Sequence, residues 1–226
     1  MNKVTRTILE DLETVRESLL SLSEDIWLSI DHNDNNQLKP LFQFKHVYNS
    51  KLMEFDSLSS EISQLVQQFT NVNLQSNEGD GRVGDTENER LVRELRNDEP
   101  YSLFENFTFK RPHGFILKGT AITGVVTWKR LYTRFCESLF RLDPQKFREL
   151  PANEEFISSH GNPMFSKEKG NFHNAIYVGG LHANAHFSAN GFRDSILKLI
   201  RAFEIKTSEF DIFLREDRDA GRNKAA

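Results

Sequence analysis

Two long stretches near the N-terminus repeat apolar residues at alternating steps of three and four. In the first stretch these residues are Ile8, Leu12, Val15, Leu19, Leu22 and Ile26. In the second they are Leu41, Phe44, Tyr48, Leu52, Phe55, Leu58, Ile62, Leu65 and Phe69. This spacing places the apolar side chains on one side of a helix and is typical of a coiled-coil seam. We therefore predict two helices, over residues 3–30 and 38–72.

A run of turn-forming residues, 31–36, separates the two predicted helices, and Pro40 falls in the first turn of the second helix, where proline is tolerated. The run resembles the start of a calcium-binding loop. However, the sixth position is Asn36 instead of glycine, and the twelfth is Phe42 instead of glutamate. We therefore predict a polar interhelical loop without calcium.

A hairpin of two such helices cannot bury both apolar seams by itself. We predict that it associates with other copies as a dimer or a four-helix bundle, through the six residues of the first seam. The alternative is that the hairpin packs only on the C-terminal domain of its own chain.

The rest of the chain divides by composition. After the helical arm (1–75), residues 76–103 are rich in Gly, Asn, Asp and Glu and read as a polar, flexible linker, within which 87–96 forms at least a helical turn. An α+β domain follows over 104–216, and residues 217–226 are expected to be a disordered tail. The fold class is thus α+β, with an N-terminal helical hairpin or coiled coil, a flexible linker and a small α+β C-terminal domain.

Within the C-terminal domain the pattern predicts short strands at 115–117 and 121–126. A helix begins after Thr127 and ends near Leu142, and a short helix over 144–150 follows the stop at Asp143-Pro144. Residues 151–174 read as loop, and 175–187 includes a strand. Ser188 precedes a further helix and reads as its N-cap, and a last strand covers 210–214.

The 226 residues include 38% hydrophobic and 27% charged side chains, as in folded soluble proteins. The sequence lacks an apolar run near the roughly 18 residues of a membrane span, and its first 15 residues lack the apolar core of a signal peptide. The single cysteine, Cys136, excludes an intramolecular disulfide and the usual zinc sites. We expect a cytoplasmic protein in which Cys136 is a buried structural thiol, not a nucleophile.

Charge divides unevenly along the chain. Residues 1–103 contain 10 Lys+Arg and 19 Asp+Glu, and residues 104–226 contain 19 and 14, so the net charges are −9 and +5. The candidate nucleic-acid-binding residues are Lys110, Arg111, Lys118, Lys129, Arg130, Arg134 and Arg141. Arg130 and Arg134 are one helical turn apart, and adjacent guanidinium groups suit phosphate contacts. The alternatives are an ordinary solvated helix face, or a helix-turn-helix formed around Asp143-Pro144.

Three histidines, His173, His182 and His186, form the best candidate metal cluster. If 181–187 is a strand, His182 and His186 lie about 13 Å apart, which is too far for both to bind one ion. The residues between them include no carboxylate to complete a site. We predict no metal, no cofactor and no catalytic residue here.

A set of residues recurs in a characteristic order in the C-terminal domain: Phe115, Trp128, Lys129, Leu131, Cys136, Leu139, Asp143, Pro144, Phe147, Ser188, Ala189, Asn190 and Ile196. This order resembles a small module associated with the C-termini of bacterial restriction and phage-defence proteins. The resemblance covers residues 104–214, and the arm lies outside it. It implies an accessory binding domain in DNA-linked or defence systems.

These observations favour a non-enzymatic, oligomeric, nucleic-acid-binding or regulatory protein that binds DNA or RNA. The alternative is a protein–protein adaptor or inhibitor that docks a partner through the acidic arm. An enzyme using the region around His173 and His186 ranks last. We expect a homo-oligomer joined by the N-terminal helices, a possible protein partner and no membrane association.

Overall fold

The computed structural model describes residues 2–30, 34–72, 74, 84–158, 161–170 and 172–216. The chain forms two compact units, residues 1–76 and 77–226. Part of the predicted interhelical loop (31–33) and the predicted tail (217–226) lie outside the described residues. The elements are α1 (Asn2–Leu28), α2 (Asn35–Thr70), α3 (Asp85–Leu95), β1 (Lys110–Leu117), β2 (Thr120–Thr123), α4 (Trp128–Leu142), α5 (Pro144–Glu149), β3 (Phe165–Ser166), β4 (Ala175–Val178), β5 (Leu181–Asn184), α6 (Ala189–Ala202) and β6 (Phe210–Glu216).

The N-terminal unit is an antiparallel hairpin of α1 and α2, which confirms the two predicted helices. Asp34 caps α2 by accepting a hydrogen bond from the Asn36 backbone N–H at 2.9 Å. The Tyr48 hydroxyl donates to the carbonyl of Leu19 at 2.9 Å, and the Lys45 ammonium donates to that of Ser23 at 3.3 Å. The later residue of α1, Ser23, contacts the earlier residue of α2, Lys45, so the two helices run in opposite directions.

The C-terminal unit begins earlier than the sequence predicts. Within the predicted linker, 76–103, residues Asp85–Leu95 form α3, an ordered part of this unit. Leu95 is fully buried against Ile116 and Phe213. The Asn88 side chain donates to the carbonyl of Gly119 and accepts from the N–H of Ala121, each at 2.9 Å. These contacts attach α3 to β1 and β2, so residues 84–103 do not act as a free linker.

Two small antiparallel sheets complete this unit. The first has the strand order β2-β1-β6, and the second has the order β3-β5-β4. In the first, β1 pairs along its length with β6, with a register shift between Pro112 and Gly114. In the second, Gly179 and Gly180, both with positive φ, form the turn that joins β4 to β5. The strand predicted within 175–187 is therefore a hairpin.

Three helices pack with these sheets around one aromatic core. Thr127, Asp143 and Ser188 cap α4, α5 and α6 with their side chains, as the sequence predicts for Thr127 and Ser188. The largest fully buried side chains of this core are Tyr132, Phe107, Phe115, Phe135, Phe147, Phe156, Phe165 and Phe192. The mixture of helices with small antiparallel sheets confirms the α+β fold class.

Candidate functional site

The surface between α1 and α2 is polar where the two helices meet. Arg16 and Asp56 are 3% and 7% exposed, and Nε of Arg16 lies 3.5 Å from Oδ1 of Asp56. Ser23 of α1 and Ser59 of α2 are buried as well. We call Arg16, Ser23, Lys45, Asp56 and Ser59 the polar seam.

The apolar seam predicted on α1 lies away from this contact. Ile8, Val15 and Leu22 are exposed, Ile8 by 61%, and Leu12, Leu19 and Ile26 are half-buried. At about 100° per residue, the apolar residues lie roughly 70° around the helix from Arg16 and Ser23. The residues predicted for oligomerisation are therefore on the part of α1 that α2 leaves uncovered.

The second predicted apolar stripe divides between two sides of α2. Leu41 and Leu52 are buried against α1, and Tyr48 and Phe55 are half-buried. An outward row of apolar residues is exposed between Phe44 and Phe69, up to 88% at Phe69, and Lys51 interrupts it. Its residues are Phe44, Val47, Leu58, Ile62, Leu65 and Phe69. This row lies roughly 120° from the polar seam of α2, at about 100° per residue.

Both exposed rows lie on the same side of the hairpin. Viewed from its N-terminus, each helix carries its exposed row on the same rotational side of its polar seam. Because the two helices run in opposite directions and face each other through the polar seam, the two exposed rows then lie on one side of the hairpin. We call Ile8, Val15, Leu22, Phe44, Val47, Leu58, Ile62, Leu65 and Phe69 the apolar face. Over the 27 residues of α1, with a helix diameter of about 10 Å, the side of the hairpin that carries these residues measures about 40 Å by 20 Å, or about 800 Å². Exposed polar side chains of Asp11, Lys51 and Glu54 interrupt it, but apolar side chains grouped on one exposed side mark an interaction surface.

In the C-terminal unit, α4 is the central helix and packs against α5, α6, β1 and β4. Arg134, predicted to bind nucleic acid, is only 8% exposed, and its Nη1 donates to Oε2 of Glu137 at 2.8 Å. Arg134 therefore does not present a guanidinium group beside Arg130, as the helix pattern suggested.

Four of the seven predicted nucleic-acid-binding residues lie at one end of this unit. The Trp128 indole N–H donates to the carbonyl of Lys110 at 2.9 Å, which joins the first turn of α4 to the start of β1. Lys129 and Arg130 follow Trp128, and Arg111 follows Lys110. By contrast, Lys118 lies in the β1–β2 turn, roughly 26 Å along β1 from Lys110. Arg141 lies in the last turn of α4, roughly 18 Å along the helix from Lys129.

Arg193, which the sequence analysis did not select, lies at the same end. Its guanidinium donates to the carbonyl of Glu105 and to Oδ1 of Asn190, in the first turn of α6. Its sequence signal was its place three residues after Asn190, one of the residues that carry the resemblance. We call Lys110, Arg111, Lys129, Arg130 and Arg193 the basic end.

Acidic groups limit the basic end. Nζ of Lys110 lies 3.9 Å from Oε2 of Glu105, and Arg193 pairs with Asp194 at 2.8 Å. Next to Tyr101, an open cleft of about 630 Å³ is lined by Asp98, Glu99 and Glu105 together with Arg215. The positive surface is therefore narrow and has an acidic border.

The residues that carry the resemblance to the defence-associated module have structural roles here. Phe115, Trp128, Leu131, Cys136, Leu139, Phe147, Ala189 and Ile196 are buried in the core. Asp143 and Ser188 cap helices, and Pro144 begins α5. Asn190 hydrogen-bonds the segment before β1. Folding alone accounts for nearly all of this pattern.

The histidines and the cysteine show no arrangement for chemistry among the described residues. The ring centroids of His173 and His186 are 6.4 Å apart, and those of His182 and Tyr177 are 4.8 Å apart with the rings tilted by 44°. The described part of the chain contains no group of three His, Cys, Asp or Glu residues that could hold a metal ion. Cys136 is fully buried, and burial raises the pKa of its thiol far above the ordinary value.

No family model matches this chain, and neither a curated protein nor a solved structure matches it. The resemblance of residues 104–214 to the defence-associated module therefore stays an expectation. Among the described helices, none combines the length and the apolar character needed to cross a membrane.

Proposed function

We propose that this protein is a homo-oligomeric binding protein. The N-terminal hairpin joins copies through its apolar face, and the C-terminal unit carries the surface that meets a ligand. The observation that carries the proposal is the arrangement of the hairpin, which buries a polar seam and exposes its apolar rows.

The size and shape of the apolar face favour a second copy as its occupant. About 800 Å² on each partner is the usual size of a stable protein interface. Each helix meets its neighbour in the hairpin on one side and presents apolar residues about a quarter-turn away. This is the geometry of a four-helix bundle, in which every helix has two neighbours. Two hairpins stacked through this face would cover both apolar rows.

The mass of the full chain in solution tests this proposal. By light scattering after gel filtration, the wild type should have twice the monomer mass. Leu58→Glu with Ile62→Glu places two carboxylates on the apolar face and should give a monomer with unchanged helix content. Ser60→Glu with Gln64→Glu is the matched control, because it adds the same charge at exposed polar positions of α2. Its mass should stay that of the wild type.

A different protein partner on the same face is the adaptor alternative. In that case the wild type is monomeric at every concentration, while Leu58→Glu with Ile62→Glu abolishes a complex with a purified partner. That result would retain the hairpin as a docking surface and overturn self-assembly. A monomer whose behaviour does not change in the variant would overturn both.

Nucleic-acid binding is the second candidate function, and the observation that favours it is the basic end. Cations from three separate elements, β1, α4 and α6, lie at this end, where Lys110 and Arg193 pair with Glu105 and Asp194. This function rests on fewer exposed charges than the sequence predicts, since Arg134 is buried. A link to restriction or phage defence rests on the resemblance alone.

A gel-shift titration at low and moderate salt tests this second function. Lys129→Glu should weaken the binding of a labelled DNA or RNA strand and reduce its salt dependence. Lys118→Glu makes the same charge change away from the basic end and should have a smaller effect. Equal losses in the two variants would mean that the basic end is not the binding surface.

A further inference from the structure

The polar seam is an unexpected feature of a hairpin whose apolar residues face outward. A hairpin in water gains most when its apolar rows face each other. Here Arg16 and Asp56 occupy the contact between the helices, at positions where leucine would bury more apolar area. Taking such a pair from water costs free energy that the ion pair often fails to recover. Stability alone therefore does not account for it.

The hydrogen bonding of Arg16 strengthens this point. Both terminal nitrogens of Arg16 are buried and make no hydrogen bond to any described residue, although Nη2 lies 3.9 Å from a carboxylate oxygen of Glu17. A buried polar group without a hydrogen bond destabilises the fold, because it has lost its contacts with water. Burying this pair therefore costs free energy and leaves Arg16 without its full set of hydrogen bonds. Its role in the hairpin is then something other than stabilisation.

Polar residues at core positions of coiled coils have a known physical use. They fix the register of the helices and the number that assemble, because wrong arrangements leave them buried without their partner. In this hairpin, sliding or rotating α1 on α2 would separate Arg16 from Asp56. It would also move the apolar rows away from the common side on which they now lie.

We propose that Arg16 and Asp56 determine the specificity of assembly. The ion pair sets the register of α1 on α2 and keeps the apolar face outward, so that two copies join as one defined four-helix bundle. The partner is a second copy of this chain, and the inference rests on the assembly proposed above. With apolar residues at both positions, each helix would have two competing apolar sides, and several assemblies would become comparable in free energy.

The test compares three forms of the full chain by native mass spectrometry and by light scattering. The wild type should be a single dimer. Arg16→Leu with Asp56→Leu, made in a Glu17→Gln background so that no buried carboxylate beside Arg16 loses its cation, should remain helical and at least as resistant to heat, but it should lose the single species and give several masses. In the same background, Arg16→Asp with Asp56→Arg restores a pair of opposite sign and should return the population to one dimer.

The outcomes separate the two proposals. A wild-type dimer, with the double leucine variant also a single dimer, would overturn the specificity inference and leave the assembly proposal standing. A wild type that is monomeric at all concentrations would overturn the assembly proposal, and this inference with it. If the double leucine variant loses its helical signal, the charge-reversed variant decides: a single dimer supports the role of the pair, and a mixture overturns it.

Discussion

The side-chain oxygen of Asn190 accepts a hydrogen bond from the backbone N–H of Phe107 at 2.8 Å. The amide nitrogen of Asn190 donates to Oδ1 of Asn106 at 2.9 Å and to Oγ1 of Thr108 at 3.0 Å. One side chain in the first turn of α6 thus holds the irregular segment before β1. That segment places Phe107 against Trp128, with ring centroids 5.5 Å apart.

Replacing Asn190 with alanine should loosen this segment and destabilise the C-terminal unit. The substitution removes four hydrogen bonds, one from the half-buried backbone N–H of Phe107 and one from the Arg193 guanidinium, and should cost about 1–3 kcal/mol. Trp128 fluorescence in urea, measured in a Trp27→Phe background so that one tryptophan reports, should show a lower midpoint. Asn190→Asp keeps the acceptor for Phe107 and should lose less. An unchanged midpoint for Asn190→Ala would contradict this role.

A second prediction concerns α3, the helix within the predicted linker. Leu95→Ala removes its fully buried anchor and should cost about 2–4 kcal/mol of local stability. Hydrogen exchange of residues 85–95 should become faster, while exchange of α1 and α2 stays the same. Arg93→Ala, at an exposed position of the same helix, is the control. Equal protection of 85–95 in the wild type and Leu95→Ala would show that this contact does not hold α3.

The docking of α3 could not be predicted from its own sequence. Its apolar residues are few, and polar and acidic residues make the segment resemble a linker. The information lies elsewhere in the chain, at Gly114. A Cβ there would lie 2.8 Å from Cδ2 of Leu95 and 2.6 Å from the carbonyl of Ile122. The close approach needs glycine at a distant position, which a local pattern does not show.

The hairpin shows which features follow from periodicity and which do not. The steps of three and four predict both helices, but on α2 they join into one stripe residues that the structure divides between a buried and an exposed side. They do not show which side of each helix meets its neighbour, because polar residues such as Arg16 and Asp56 also recur at helical spacing. The same ambiguity placed Arg134 on an outer surface, although α6, β1 and β4 surround α4. A helical repeat shows which residues share one side of a helix. Which side is buried depends on how the helix packs against the rest of the protein.

A third prediction concerns the reactivity of Cys136. Burial raises the pKa of this thiol far above the ordinary value, so the native protein should contain almost no thiolate between pH 7 and 9. A disulfide reagent such as DTNB should react at a slow rate set by unfolding, and the rate should rise little with pH. In concentrated urea the reaction should be rapid and complete. Fast, stoichiometric reaction of the folded protein would contradict the assignment as a core thiol.

The last prediction concerns the pH dependence of stability at the edge between β1 and β6. Nε2 of His113 lies 3.2 Å from Nη2 of Arg215, and a guanidinium only donates, so the neutral imidazole accepts this hydrogen bond. Burial lowers the pKa of His113, and the charge of Arg215 lowers it further, against the opposite influence of Asp98 and Glu94.

The sign of the effect follows from proton binding. In the unfolded chain, His113 takes up a proton as the pH falls through about 6.5, and in the folded protein it does so only at lower pH. The contribution of His113 to stability is therefore complete above about pH 6.5 and is lost as the pH falls through its folded pKa. Urea midpoints at pH 7.5 and 5.5 should differ less in His113→Gln than in the wild type. Arg215→Gln removes the cation and should also reduce the difference. A difference that stays the same in His113→Gln would mean that other groups cause the loss of stability at low pH.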